Sequence, residues 1–166
     1  KITVLEVGYV EKLPADFTFD GFHLSGEYIY CPFSMVLLQG EGKNILVDCG
    51  VNLRDPVKQE IFKGAGGVNG HSPDEVLATV GLTPSEIDAV ILTHLHWDHA
   101  GGADCYPNAV FYLQREELEG WSEISDNPAY TALHCLSMDL NDLNTMRGLL
   151  EQDRLILLDG EKDYLF

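Results

Sequence analysis

The most informative segment of the sequence is Thr93-His94-Leu95-His96-Trp97-Asp98-His99-Ala100-Gly101-Gly102. An unbroken apolar run, Ala89 to Leu92, precedes it, and this pattern predicts a strand that is covered on both faces. The segment itself ends in glycines, so four side chains of metal-ligand type stand in six positions of a loop that follows a buried strand. A polar loop of chance histidines is the alternative, and the density of ligand-type residues disfavours it.

The spacing of these four side chains favours a site for two metal ions. On an extended backbone His94 and His96 project to the same side, so both imidazoles can reach one ion. Where the backbone turns after the strand, Asp98 and His99 can point to a second position. Imidazole and carboxylate ligands favour Zn²⁺, with iron and manganese as alternatives. Two ions about 3.5–4 Å apart can share an attacking hydroxide, which makes a serine or cysteine nucleophile unnecessary.

This motif resembles the signature of the metallo-β-lactamase-fold hydrolases. With Leu95, an aromatic residue at position 97 and the Ala-Gly-Gly ending, it is most similar to the N-acyl homoserine lactonase branch. The resemblance implies an α/β fold, part of a metallo-β-lactamase αββα four-layer sandwich to which this chain contributes mainly the N-terminal sheet. By the order of elements it extends from about Met35 to Leu113.

The resemblance also assigns residues outside the motif. It implies that Asp48, in Asp48-Cys49-Gly50, is an acid that steadies the histidine loop from behind the metal ligands. Cys49 departs from the usual threonine. The family usually supplies three more ligands after the motif, and none is visible here, because His134 lacks the expected glycine-flanked setting. We therefore expect a single metallo-β-lactamase-like domain over residues 1–166 that corresponds to the N-terminal part and lacks the C-terminal ligands.

The reaction that the resemblance implies is hydrolysis of a small ester, with a lactone as the leading substrate. Asp98 would be both a metal ligand and the group that passes a proton to the leaving alkoxide. A glyoxalase-type thioesterase, a β-lactamase, a sulfatase and a phosphodiesterase remain alternatives. An oxygen-reducing di-iron protein is disfavoured, because that branch usually has glutamate at the position of His96. A second class of hypothesis is a metal-binding or interaction module that needs another polypeptide and has no turnover.

Composition sets outer limits on these hypotheses. The 166 residues are 45% hydrophobic, which suffices for one core. The 27 acidic and 10 basic side chains give a formal charge of −17, which repels nucleic acid. No apolar run is long enough for a membrane span, and the first residues do not resemble a signal peptide, so a cytoplasmic location is expected. A homodimer is left open. Widely spaced Cys31, Cys49, Cys105 and Cys135 indicate reduced thiols.

Periodicity and turn residues predict the remaining elements. Strands are expected at 2–10, 35–39, 44–47, 109–113 and 154–158, the second and third as a hairpin around Gly40–Lys43. Two capping boxes, Ser72 to Glu75 and Thr83 to Glu86, begin helices, and Gly81 ends the first of them. Further helices are expected at 114–120 and 139–151. The glycine-rich segment 64–70 is expected to be a flexible surface loop, since it lacks the phosphate-loop ending.

Several side chains keep two interpretations. The aromatic residues of the irregular stretch 13–32 either cover the core or line the mouth of a pocket; they are Phe17, Phe19, Phe22, Tyr28 and Tyr30. Trp97 is expected to pack and to set the shape of the loop, with contact to substrate as the alternative. The isolated His23 and His71 are expected to have no role in the site.

Overall fold

The computed structural model describes residues 1–16, 26–127 and 137–161. In these ranges one mixed sheet has the strand order β4-β1-β2-β3-β5-β6-β7, with α-helices packed on it, which confirms the predicted α/β class. The strands are β1 Ile2–Pro14, β2 Tyr28–Gly40, β3 Lys43–Val47, β4 Gly67–Val68, β5 Ala89–Ile91, β6 Val110–Gln114 and β7 Leu155–Leu158. The α-helices are α1 Pro56–Gly64, α2 Pro73–Ala78, α3 Trp97–Ala100, α4 Arg115–Ser125 and α5 Leu140–Glu151.

The sheet changes from antiparallel to parallel at β3. The predicted hairpin is confirmed: β2 and β3 pair from Val36↔Val47 to Gly40↔Lys43. Its two turn residues, Glu41 and Gly42, have φ of 48° and 76°, as a tight turn matching the twist of the strands requires. Strands β3, β5, β6 and β7 then run parallel. The carboxyl ends of four neighbouring strands therefore lie at one edge of the sheet.

Both predicted capping boxes are present, but the helices that they begin are shorter than expected. Ser72 and Thr83 each form a capping box with the glutamate three residues later. The first box begins α2, which ends at Ala78 rather than near Gly81, and the second begins only a 3-10 turn at Pro84–Glu86. Asp139 caps α5 by accepting a hydrogen bond from the Asn141 amide at 3.0 Å. Short capped helices thus connect the parallel strands.

The two faces of the sheet are both apolar, but the helices of the described ranges cover only one of them. On the covered face, one residue from each of five neighbouring strands lies in register; we call this set the covered row, and it consists of Leu37, Leu46, Val90, Phe111 and Leu155. Each of these residues is at most 4% exposed, and they belong to the same core as the helix residues Leu118, Met146 and Leu149. The open row lies in register on the other face and consists of Val4, Val36, Val47, Ile91, Tyr112 and Ile156. Val4 is 68% and Ile156 38% exposed.

The glycine-rich segment differs from its expectation as a flexible loop. Gly67 and Val68 pair with Val10 and Tyr9 of β1 as the short strand β4. Helix α1, which was not predicted from the sequence, packs its Phe62 ring against this segment. A Cβ added at Gly67 or Gly70 would lie 2.7 Å from ring atoms of Phe62. The two glycines therefore leave the space that the Phe62 ring occupies, because a side chain at either position would displace the ring.

The irregular stretch 13–32 is shorter than expected, because β1 extends to Pro14 and β2 begins at Tyr28. Tyr28 and Tyr30 are 62% and 53% exposed, so they do not cover the core. Phe17, Phe19, Phe22, His23, His134 and Cys135 lie outside the described residues. Cys31, Cys49 and Cys105 carry free thiols. Within the described ranges, each helix is too short or too polar to span a membrane.

Candidate metal centre

The predicted site residues lie together at the carboxyl edge of the parallel strands. Asp48 follows β3, and the segment Thr93–Gly102 follows β5. Glu117, which was not predicted, lies at the same edge in the first turn of α4, directly after β6. Loops at this edge of an open α/β sheet form crevices in which ligands bind. The strand order therefore brings together residues that are far apart in the sequence.

Asp48 is the acid around which the loop is built. Its Oδ1 accepts hydrogen bonds from the Thr93 amide at 2.8 Å and the Thr93 hydroxyl at 2.9 Å. Its Oδ2 lies 2.8 Å from Nδ1 of His99. The backbone of Asp48 has φ of 59°, a left-handed conformation that non-glycine residues adopt only at a free-energy cost. The predicted contact between this acid and the histidine loop is present, whereas its effect on a bound metal stays a prediction.

Thr93 extends the influence of Asp48 to His94. The Thr93 hydroxyl lies 2.9 Å from Nδ1 of His94 and within 3.0 Å of both Asp48 oxygens. If the hydroxyl donates its single proton to the carboxylate, it accepts from a protonated Nδ1 of His94. The lone pair of His94 is then on Nε2, the atom available to a cation. One carboxylate thus orients two imidazoles, one directly and one through a hydroxyl.

The four predicted ligands cluster closely. The ring centroid of His94 lies 4.4 Å from that of His96 and 4.1 Å from that of His99. Nε2 of His99 lies 3.3 Å from Oδ2 of Asp98. Among the described residues, however, no three His, Cys, Asp or Glu side chains are already arranged as a group that could hold a metal ion.

The three imidazoles of the cluster differ in the direction of their pKa shifts. Burial, together with the neighbouring His99 and His96, lowers the pKa of His94, and burial also lowers the pKa of His96. Burial acts in the same direction on His99, but hydrogen bonds to Asp48 and Asp98 outweigh it and raise the pKa to about 9. Burial raises the pKa of Asp98, and the hydrogen bond from His99 reverses this, so the net direction is downward.

These side chains fit a metal ion by the chemistry of their donor atoms. Neutral His94 and His96 offer nitrogen lone pairs, and Asp98 offers a carboxylate, the set that Zn²⁺ and similar ions bind. Asp48 supplies the carboxylate behind a ligand that metal-binding histidines usually have. The proposed ligand roles of His94, His96, Asp98 and His99 stay predictions.

Two residues that the sequence did not reveal hold the start of the loop. Oε1 of Glu117 accepts from the Leu95 amide at 2.9 Å and from the Trp121 indole at 2.8 Å. Leu95 is the residue between His94 and His96. The centroid of the Trp121 ring lies 6.0 Å from that of His96. Only the position of Glu117 after a predicted strand could have drawn attention to it.

The end of the loop is held by buried groups of another kind. The Lys58 ammonium donates a hydrogen bond to the Gly101 carbonyl and lies 2.7 Å from Oδ1 of Asp142. Lys58 and Asp142 are only 4% and 1% exposed. The Cys49 amide and thiol both donate to the His99 carbonyl, and burial raises the pKa of this thiol, which keeps it protonated. Cys49 therefore donates a hydrogen bond as a threonine hydroxyl can.

Trp97 and His71 have different surroundings. Trp97 is 6% exposed and packs against Phe33, with ring centroids 5.3 Å apart, which confirms its packing role. His71 is exposed, and its amide donates to the Val7 carbonyl.

Known proteins are similar to the part of the chain that contains the histidine loop. The family model described as "Metallo-beta-lactamase superfamily" matches residues 31–161. An N-acyl homoserine lactonase of Bacillus cereus is 31% identical over 102 residues, which are 57% of this chain and 41% of that protein. A ribonuclease of Thermus thermophilus is 37% identical over 65 residues, which are 39% of this chain and 11% of that protein.

A solved structure extends the likeness to nearly the whole chain. It is an N-acyl homoserine lactone hydrolase with the product N-hexanoyl-L-homoserine bound at its catalytic metal centre. The TM-score is 0.70 at 22% identity, with 99% of this chain and 62% of that chain covered. This likeness supports the fold. The chain spans less than two thirds of the length of these relatives.

Proposed function

This chain belongs to the metallo-beta-lactamase superfamily, and we propose that it is a metal-dependent hydrolase that opens a small ester, with a lactone of the N-acyl homoserine type as substrate. The observation that carries the proposal is the link from Asp48 to two imidazoles. Asp48 contacts His99 directly and reaches His94 through Thr93. Such a carboxylate behind a histidine fixes its tautomer and raises its strength as a ligand.

The proposed roles follow from the order of the side chains along the loop. His94 and His96 would hold one metal ion, and Asp98 and His99 a second. Bound zinc would supply Lewis acidity, which lowers the pKa of water and polarises a carbonyl group. For His99 to act as a ligand, its Nε2 must lose the proton that it shares with Asp98. Asp48 keeps the Nδ1 proton of His99 in place, so that the lone pair forms on Nε2.

Asp98 is also the proposed carrier of a proton. Its lowered pKa means that it begins the reaction as a carboxylate. It must therefore take a proton from the attacking water at Oδ2 before it can deliver one to the leaving alkoxide. A carboxylate beside the reacting groups can do both, because its pKa changes with the charge around it.

The substrate class rests on the relatives and on charge. One relative is a lactonase, and a solved structure of similar fold holds the opened product of an acyl homoserine lactone. The ribonuclease match points to a phosphodiester instead, but it covers a shorter segment. A formal charge of −17 opposes the approach of a polyanion. A small uncharged lactone meets no such repulsion.

A metal-binding module without turnover is the second candidate. It is motivated by coverage, because the segment aligned with the lactonase is only 41% of that protein. Such a module would bind metal through the same loop and would leave every ester intact.

One experiment separates the two candidates. The purified protein is loaded with Zn²⁺, its metal content is measured, and a lactone, a thioester, a β-lactam and a phosphodiester are assayed. We expect the wild type to bind two ions and to cleave the lactone. In His96→Ala, the affinity for metal and the rate of lactone cleavage should each fall by more than about 100-fold. His71→Ala, an exposed histidine outside the cluster, is the matched control. Metal binding without cleavage would support the module, and cleavage of other compounds only would refute the lactone.

A further inference from the structure

The start of the histidine loop depends on one hydrogen-bond acceptor that belongs to another element. Leu95 is 1% exposed, so its amide cannot turn to water when its partner is removed. The partner is Oε1 of Glu117 at 2.9 Å. The amide sits between the Cα atoms of His94 and His96, and its direction therefore fixes the backbone from which both imidazoles project.

Glu117 is itself held in place by its own helix. Trp121 lies one turn later on α4, and its indole donates to the same Oε1 at 2.8 Å. Trp121 is 9% exposed, and its ring meets that of His96 edge to face, with 6.0 Å between the centroids. The Glu117 carboxylate therefore connects the backbone of the loop at Leu95 to the Trp121 ring that packs against His96. The exposed carboxylates of Glu116 and Glu119, on the same helix, have no part in this arrangement.

We propose that Glu117 is a positioning residue for the first metal position: by accepting from Leu95 and Trp121, it sets the separation and direction of the His94 and His96 side chains. This proposal rests on the proposed function, since it assumes that these imidazoles bind metal. It assigns Glu117 no contact with metal or substrate. What matters is the acceptor oxygen, which glutamine also carries, so the role is one of geometry rather than charge.

The test compares three variants by metal binding. Glu117→Ala removes the acceptor, Glu117→Gln keeps an oxygen in its place, and Glu116→Ala removes an exposed charge from the neighbouring position. Zinc affinity is measured by competition with a chelator, and the unfolding midpoint of each metal-free protein is measured separately. We expect Glu117→Ala to lose about 10- to 100-fold in affinity for the first ion. Glu117→Gln should recover most of it, and Glu116→Ala should match the wild type.

A spectroscopic measurement distinguishes positioning from a purely structural role. With Co²⁺ in place of Zn²⁺, the visible absorption reports the geometry of the ligands, and Glu117→Ala should change this spectrum even at saturating metal. A lowered unfolding midpoint with unchanged affinity and spectrum would overturn the proposal. Equal losses in Glu117→Gln and Glu117→Ala would also overturn it, since charge would then be the cause. If the wild type binds no metal, the proposed function itself fails.

Discussion

The two faces of the sheet carry similar side chains in different surroundings. Leu37 and Leu38 are neighbours in β2, yet Leu37 is 0% exposed in the helix-covered core, whereas Leu38 lies on the open face and is only partly buried. In β5, Val90 is fully buried and Ile91 is not. The apolar pattern therefore predicts that both faces can be covered. Which face is covered depends on where the helices pack.

The largest expected effect lies in the helix layer above the covered face. Lys58→Met would keep most of the apolar stem and remove the charge, which leaves Asp142 buried without its partner. Oδ2 of Asp142 already lacks a hydrogen bond. We expect the free energy of unfolding to fall by about 3–5 kcal/mol, measured by urea denaturation. The double variant Lys58→Met/Asp142→Leu should recover most of the loss, and no recovery would contradict the pairing.

A matched pair of substitutions compares the faces directly. Leu37→Ala should lower the free energy of unfolding by about 2–5 kcal/mol, because it opens a cavity in a packed core. Leu38→Ala removes the same atoms from a partly exposed position, and it should lower this free energy by about 1 kcal/mol or less. Both are measured by denaturant unfolding. Equal losses would show that the open face is covered in solution.

An effect smaller than that of Leu37→Ala is expected in the pH dependence that Asp142 confers. Burial raises its pKa to about 6, although Lys58 acts in the opposite direction. Because the folded state then holds a proton that the unfolded state has lost, stability from this group falls as pH rises from about 4 to about 6. We expect a loss on the order of 1–3 kcal/mol. Asp142→Asn should flatten this part of the curve, and parallel curves for variant and wild type would rule the effect out.

Most of the fold could be predicted from local sequence. Alternating and unbroken apolar runs identified the long strands, and the Ser72 and Thr83 capping boxes gave both helical starts. Helix α1 was not predicted, although its start carries a recognisable signal: Asp55 caps it by accepting from the Val57 amide, and Pro56 stands at its first position. The role of the glycines at 67 and 70 also escaped, because it depends on a ring that lies several residues away in the sequence. Signals of this kind exist only in three dimensions.

The candidate site was predictable to a similar extent. The ligand-type residues were evident because they stand in six positions of one loop. The role of Asp48 was inferred from the family resemblance, because nothing in the local sequence links residue 48 to residue 99. Glu117 and Lys58 carry no motif, and they reach the loop only through the parallel register of β5 and β6 and the packing of α1. The spacing of residues along the sequence therefore predicts candidate ligands that lie in one loop. It does not predict supporting residues, such as Glu117 and Lys58, that other elements of the fold supply.

The left-handed backbone at Asp48 restricts that position in an unusual way. Only Gly, Asn and Asp adopt such a conformation readily. Glycine offers no oxygen to the Thr93 and His99 donors, and asparagine offers one oxygen and places an amide group where the second acceptor is needed. Of these three residues, aspartate alone meets both demands. A saturation library at codon 48, selected for zinc binding, should therefore return mainly aspartate.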